Sequence, residues 1–211
     1  MWFIFIKLGC QIIKLMSDQI FQGLKHHIDE IAAMSNDAWT DLEGIVQISE
    51  IENEELFVSE GGNTSSEVYL ASGILRAFYH SSEGEEVNVA FYTENKILPP
   101  HYFRTKNNRS DLNIQALSKS MVVEFDAVQF TALRYKHSSL MKYGNIVVER
   151  ELQYKTQREL LLLTKRAEER YLAFRSFYPG LENRISQFHI ASYLGITPVS
   201  LSRIRKSMAK A

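Results

Sequence analysis

Cysteine is nearly missing from this chain: of 211 residues only Cys10 carries a thiol. An internal disulfide is therefore excluded, as are Cys-rich zinc and iron–sulfur sites, and a reducing cytoplasm fits. Histidine is sparse and scattered, at positions 26, 27, 80, 101, 137 and 189, with no His-X-His pair. A metal-dependent enzyme built on strands needs clustered His and carboxylate ligands. No glycine-rich phosphate loop of the Walker type is present either. We expect no catalytic residue, no metal site and no enzyme.

Long apolar runs are also rare. The one candidate, "MWFIFIKLGCQIIKLM", is interrupted by Lys7 and Lys14 and is shorter than the roughly 20 residues of a membrane-spanning helix. It has no charged leader and no small-residue cleavage site, so it is a poor signal peptide. Two readings are open: an extra amphipathic helix, or a translation start at Met16. We favour the second and treat residues 1–17 as an apolar leader; no membrane partner is expected. Acids disappear at the other end. From Asn183 to Ala211 there is no Asp or Glu, against five Lys and Arg.

The apolar material that is there, 45% of the residues, suffices for a core, and the length suits one large or two small domains. Charge is divided along the chain. Residues 137–211 hold 13 Lys/Arg and 6 Asp/Glu, whereas residues 1–136 hold 11 and 19. An acidic front and a basic back suggest two jobs, with the back facing a polyanion.

Residues 18–33 and 36–47 read as short helices, the second capped by Asn36 or Ser35 and carrying Ala38, Leu42, Ile45 and Val46 at helical spacing. Alternation then takes over. "EVYLASGILRAFYH" is broken by Gly73, "SSEG" makes a hairpin turn, and "EVNVAFY" and "LNIQALSKSMVVEF" continue the strands. A small antiparallel barrel or jelly roll is expected over about residues 50–126. "DAVQFTALRYKH" is a helix capped by Asp126. Residues 138–166 contain no proline and one glycine, Gly144, so one long helix can form. Its stripe of Leu140, Val147, Tyr154 and Leu161 recurs every seven residues; it serves either packing on the chain's own barrel or a two-helix dimer seam, which we favour. "AEERYLAFRSFYPG" is a further helix, stopped by Pro179-Gly180.

The acid-free end is the most specific signal. "SQFHIASYL" can be a helix that Gly195 ends. Thr197 is an N-cap and Pro198 sits at the first helical position, where its missing N–H is harmless. Ile190, Leu194, Ile196, Leu201 and Ile204 can seal two short crossed helices, with small Ala191 at the crossing. This is helix-turn-helix geometry. Ser200, Ser202, Arg203, Arg205 and Lys206 fill the other side, where arginine can bond guanine bidentately in a major groove.

Barrel, long helix and helix-turn-helix, in that order, resemble the Crp/Fnr family of bacterial transcription regulators. "IASYLGITPVSLSRIRK" looks like the family's recognition unit, and "SGILRAFYHSSEGEEVNVAFYTEN" resembles its cyclic-nucleotide-binding-like barrel. The resemblance covers about residues 20–208. It implies an α+β chain with a sensor domain over residues 18–137, a dimerisation helix over 138–166 and a helix-turn-helix domain over 167–211. It further implies a cytoplasmic homodimer that binds partly palindromic double-stranded DNA and acts on RNA polymerase. Base-reading positions would be Val199, Ser200, Ser202 and Arg203, beside Pro198. Phosphate contacts would come from Arg184, His189, Thr197, Arg205 and Lys206. Val199 stands where a Glu is usual, so the preferred operator should differ. Pro99-Pro100 replace the Gly-Glu pair of the cyclic AMP binders; Arg109-Ser110 resemble their phosphate-holding Arg-Ser, one residue out of register. No cyclic AMP binding and no cofactor are therefore expected. No C-terminal wing follows the recognition helix before Ala211. The rival function is a nucleotide-like sensor module that signals through protein contacts without DNA.

Overall fold

The computed structural model describes residues 17–209. The expected leader, with Cys10 and Met16, lies outside the described residues. Residues 17–29 are helical (α1). Ser35 caps α2 (Asn36–Glu43) by accepting from the Ala38 N–H at 3.2 Å.

The helix expected to reach residue 47 stops at Glu43. Val46, placed on it by spacing, instead begins strand β1 (Val46–Ile51), which pairs antiparallel with β10 (Ser120–Asp126) from Val46 opposite Phe125 onward. Ladder hydrogen bonds and β-branched Val46, Ile48 and Ile51 outweigh a helical periodicity only one turn longer.

The remaining strands are β2 (Leu56–Val58), β3 (Ser66–Ser72), β4 (Leu75–His80), β5 (Glu86–Tyr92), β6 (Lys96–Ile97), β7 (Thr105–Lys106), β8 (Arg109–Ser110) and β9 (Asn113–Ala116). They form two four-stranded sheets, ordered β1-β10-β3-β6 and β2-β9-β4-β5, with β7-β8 as a separate hairpin. The expected barrel or jelly roll is thus two facing sheets, without closure among the described residues. Ile51, Val68, Leu70 and Val122 of the first sheet meet Leu75, Ala77, Ala90 and Ile114 of the second in one buried cluster. Strand β3 is apolar on both faces because Tyr69 points the other way, into a layer made by the helices. The break after β3 falls at Gly73, with φ +100°. A Cβ there would lie 2.1 Å from Ser120 Oγ, so the residue must be glycine on two counts.

Asp126 caps α4 (Ala127–Lys136), accepting from Val128 and Gln129 N–H. Helix α5 (Ser138–Thr164) follows as one 27-residue rod. Leu140, Tyr143 and Val147 are buried against α1, α2, α4 and the outer face of β3 and β10. Further along, Tyr154 packs against the C-terminal helices. Leu140, Val147 and Tyr154 of the heptad stripe therefore pack against the chain's own helices and sheet. Leu152, Leu160 and Leu163, which fall between the stripe positions, are 58%, 55% and 75% exposed. The chain ends with α6 (Ala167–Phe177), a 3-10 turn (Leu181–Asn183), α7 (Gln187–Leu194) and α8 (Pro198–Met208).

Candidate nucleic-acid interface

Helices α7 and α8 are joined by a tight turn. Gly195 takes the left-handed conformation (φ 64°, ψ 42°). Its N–H bonds Ser192 O at 3.1 Å, and the Ile196 N–H bonds Ala191 O at 3.0 Å, the paired bonds of a Schellman stop. Thr197 Oγ1 accepts from the Ser200 N–H at 3.2 Å, and proline stands in the first turn of α8. Ile190, Ala191, Leu194, Leu201 and Ile204 are buried together with Phe174 and Leu181. The pair is sealed as its spacing predicts.

The opposite side of α8 is open. Val199 is 61% exposed, and with Pro198, Ser202, Arg203 and Lys206 it lines one shallow surface concavity. Arg203 and Lys206 make no ion pair among the described residues. The face holds no acid. Its chemistry is two free cations, a serine hydroxyl and one aliphatic side chain on a single helical surface.

The other expected DNA contacts are placed differently. The Ser200 hydroxyl lies 2.9 Å from Thr197 Oγ1 and is shared with the cap. Arg205 is half-buried, and its charge bears on Tyr171 of α6. Arg184 is spent in a two-pronged pair with Glu94, at 3.0 Å from Nη1 to Oε2 and closer still from Nη2. His189 is half-buried beside Asn88, with Nδ1 3.5 Å from Asn88 Nδ2. Burial, then the Arg76 charge, lowers its pKa, while Glu86 opposes the shift. In this arrangement Arg184 and His189 are engaged by the sandwich and do not join the open face.

That engagement is a built joint, and sequence reasoning missed it. Strand β5 is a sheet edge, a row of unpaired backbone groups that needs cover. Helix α7 covers it. Ser192 Oγ accepts from Asn88 N–H at 2.9 Å and donates to Glu86 O at 2.8 Å. Asn88, fully buried, donates from Nδ2 to His189 O at 3.2 Å and accepts from Arg76 Nη1 at 3.1 Å. Arg76 in turn pairs with Glu86 at 2.5 Å and donates from Nε to Gln115 at 2.8 Å. From α5, Arg158 Nη2 donates to Asn88 O at 3.1 Å, and its guanidinium lies 4.8 Å from the Tyr193 ring centre. Tyr154 bonds Tyr193 at 2.7 Å and, more closely, Tyr178. A polar Asn on an alternating strand was the available signal.

A cavity of about 370 Å³ lies between the sandwich and α5, lined in part by Tyr79, Tyr92, Pro99, Glu151 and Arg104. The expected effector residues are elsewhere. Arg109 is exposed on the β7-β8 hairpin and donates to Gly61 O at 2.7 Å. Ser110 is buried and donates to Leu112 O at 2.6 Å. Both take part in loop closure, and neither lines this cavity. Arg104, on the short helix α3 (His101–Arg104), does line it: 2% exposed, its Nη2 donates to Ser66 O at 2.7 Å while Nε and Nη1 have no partner. Among the described residues, no group of three His, Cys, Asp or Glu is placed to hold a metal. No helix of the described residues is long and apolar enough to cross a membrane.

A two-sheet unit, a long connecting helix and a docked helix-turn-helix make up the architecture, and comparison with solved structures shows which known fold it shares. FixK2 from Bradyrhizobium japonicum superposes with TM-score 0.68 at 17% identity, over 79% of this chain and 85% of that one. The c-di-GMP-responsive global regulator CLP of Xanthomonas campestris gives 0.67 at 9% identity, over 83% and 92%. A transcriptional regulator of the Crp/Fnr family from Eubacterium rectale gives 0.64 at 13%, over 83% and 84%. This chain has the fold of the Crp/Fnr transcription regulators. No family model and no curated protein sequence matches it.

Proposed function

We propose that this protein is a sequence-specific DNA-binding transcriptional regulator that acts as a homodimer. The observation that carries the reading is the open face of α8, where Arg203 and Lys206 stand unpaired beside Val199 and Ser202 on an acid-free helix. Arg203 suits bidentate bonding to guanine, and Val199 suits apolar contact with a thymine methyl. Lys206 suits a phosphate. The exposed Leu152, Leu160 and Leu163 of α5 supply an apolar strip for a second copy of the helix, and a two-fold dimer reads a partly palindromic site. Action on RNA polymerase follows from the family resemblance. Cyclic AMP is a poor candidate effector, since Pro99-Pro100 offer no ribose acceptor and Arg109 is tied to Gly61.

Salt dependence of DNA binding by the purified chain tests the reading. The logarithm of affinity should fall linearly with the logarithm of salt concentration, by about 0.9 per phosphate neutralised. Salt-independent or undetectable binding would favour the protein-contact sensor module.

A further inference from the structure

A second cavity, of about 280 Å³, lies between α1, β5, β6, α5 and the end of α6. Its walls are aromatic, with Tyr92, Tyr154 and Tyr178 among them. Its basic groups come from three separate elements: His27 on α1, Lys96 on β6 and Arg150 on α5. Lys96 and Arg150 make no hydrogen bond or ion pair through their side chains among the described residues. His27 leans on Tyr69 and Tyr143, with ring centres 5.5 and 6.1 Å away, and its buried Nε2 has no partner. One carboxylate, Glu151, also lines the space, but it is held 3.6 Å from Lys155.

Two unpaired cations thus stand in water at the mouth of an aromatic slot, free to take an anion. The same convergence bears on His27. Burial lowers its pKa to about 4, and the charges of Lys96 and Arg150 push in the same direction. The imidazole is therefore neutral at pH 7 and can donate or accept one hydrogen bond through its free nitrogen.

We infer that this cavity is a binding site for a small organic oxyanion with a planar apolar body. The carboxylate or phosphate is taken by Lys96 and Arg150 at the mouth, and the body lies on the tyrosines. Charge-assisted hydrogen bonds fix the anionic end, and the apolar walls supply burial. Tyr154 and Tyr178 share the hydroxyl cluster that holds Tyr193 of α7. A ligand on those rings touches the joint that seats the helix-turn-helix. That consequence rests on the DNA-binding reading; the binding itself does not.

Calorimetry on the full chain with benzoate and phenyl phosphate, against uncharged benzamide, tests the site directly and without DNA. At least one anion should bind, and benzamide at least about tenfold more weakly, the loss expected for about 1.4 kcal/mol of charge-assisted bonding. Lys96→Gln and Arg150→Gln should each weaken the anion by a similar factor. Both residues are exposed, so the variants should keep the wild-type melting temperature, which is measured alongside. No binding of either anion, equal binding of benzamide, or unchanged affinity in the folded double variant overturns the inference. If the site fails while DNA binding persists, the regulator reading stands.

Discussion

Replacing Ser192 by alanine should loosen the helix-turn-helix from the sandwich without unfolding either. The hydroxyl serves two backbone groups of an edge strand, Asn88 N–H and Glu86 C=O. Asn88 is fully buried, so its N–H finds no water when the hydroxyl goes. A buried unsatisfied group costs about 1–3 kcal/mol. Taking about 2 kcal/mol, the docking equilibrium shifts about 30-fold toward the open form. Alanine is the better helix former, so the loss falls on docking and not on α7 itself. Hydrogen exchange read by mass spectrometry separates the two. Amides of α7 should exchange about 30-fold faster, whereas those of β3 and β10, deep in the other sheet, should not change. Unchanged exchange in α7, or equal acceleration everywhere, would refute the joint as drawn.

Arg203→Ala should lose about 1–3 kcal/mol of discrimination between specific and scrambled DNA while leaving the dimer intact, and Lys206→Ala should weaken both DNAs alike; competition binding reads the difference. Arg184→Ala should change DNA affinity much less than either, because that guanidinium is paired with Glu94. Leu152→Glu with Leu160→Glu should yield a folded monomer by sedimentation, and a persistent dimer would move the interface elsewhere. Gly195→Ala should destabilise by about 1–2 kcal/mol, the penalty for a Cβ in the left-handed region, read by urea unfolding. His27 gives a pH dependence. Its folded pKa of about 4 lies below the ordinary 6.5, so between these values the unfolded chain binds more protons and stability falls with falling pH. His27→Phe should flatten the urea midpoint between pH 7 and 5.

The helix-turn-helix was legible because every part of it is local: Gly195 must be left-handed, Thr197 must cap, and Leu201 and Ile204 repeat at helical spacing. Strands β3 to β5 were legible for the same reason, through Gly73 and a hairpin turn. The joint was not. Asn88 and Ser192 are 104 residues apart and meet only because α7 closes the open edge of β5. Arg104 carries no sequence signal, because a motif match weighs the adjacency of Arg109 to serine, whereas the burial of Arg104 is decided by how α3 sits under α5. The stripe on α5 shows a further limit. A seven-residue period marks an apolar face but not which partner covers it, and here Leu140 and Val147 face the chain's own sheet.

Binding-site selection from random DNA with the purified chain reads out sequence recognition by α8. One enriched, partly palindromic motif is expected, with half-sites about one helical turn apart, centre to centre, and with the enrichment lost in Arg203→Ala. Recovery of no motif by the folded, dimeric wild-type chain would contradict it.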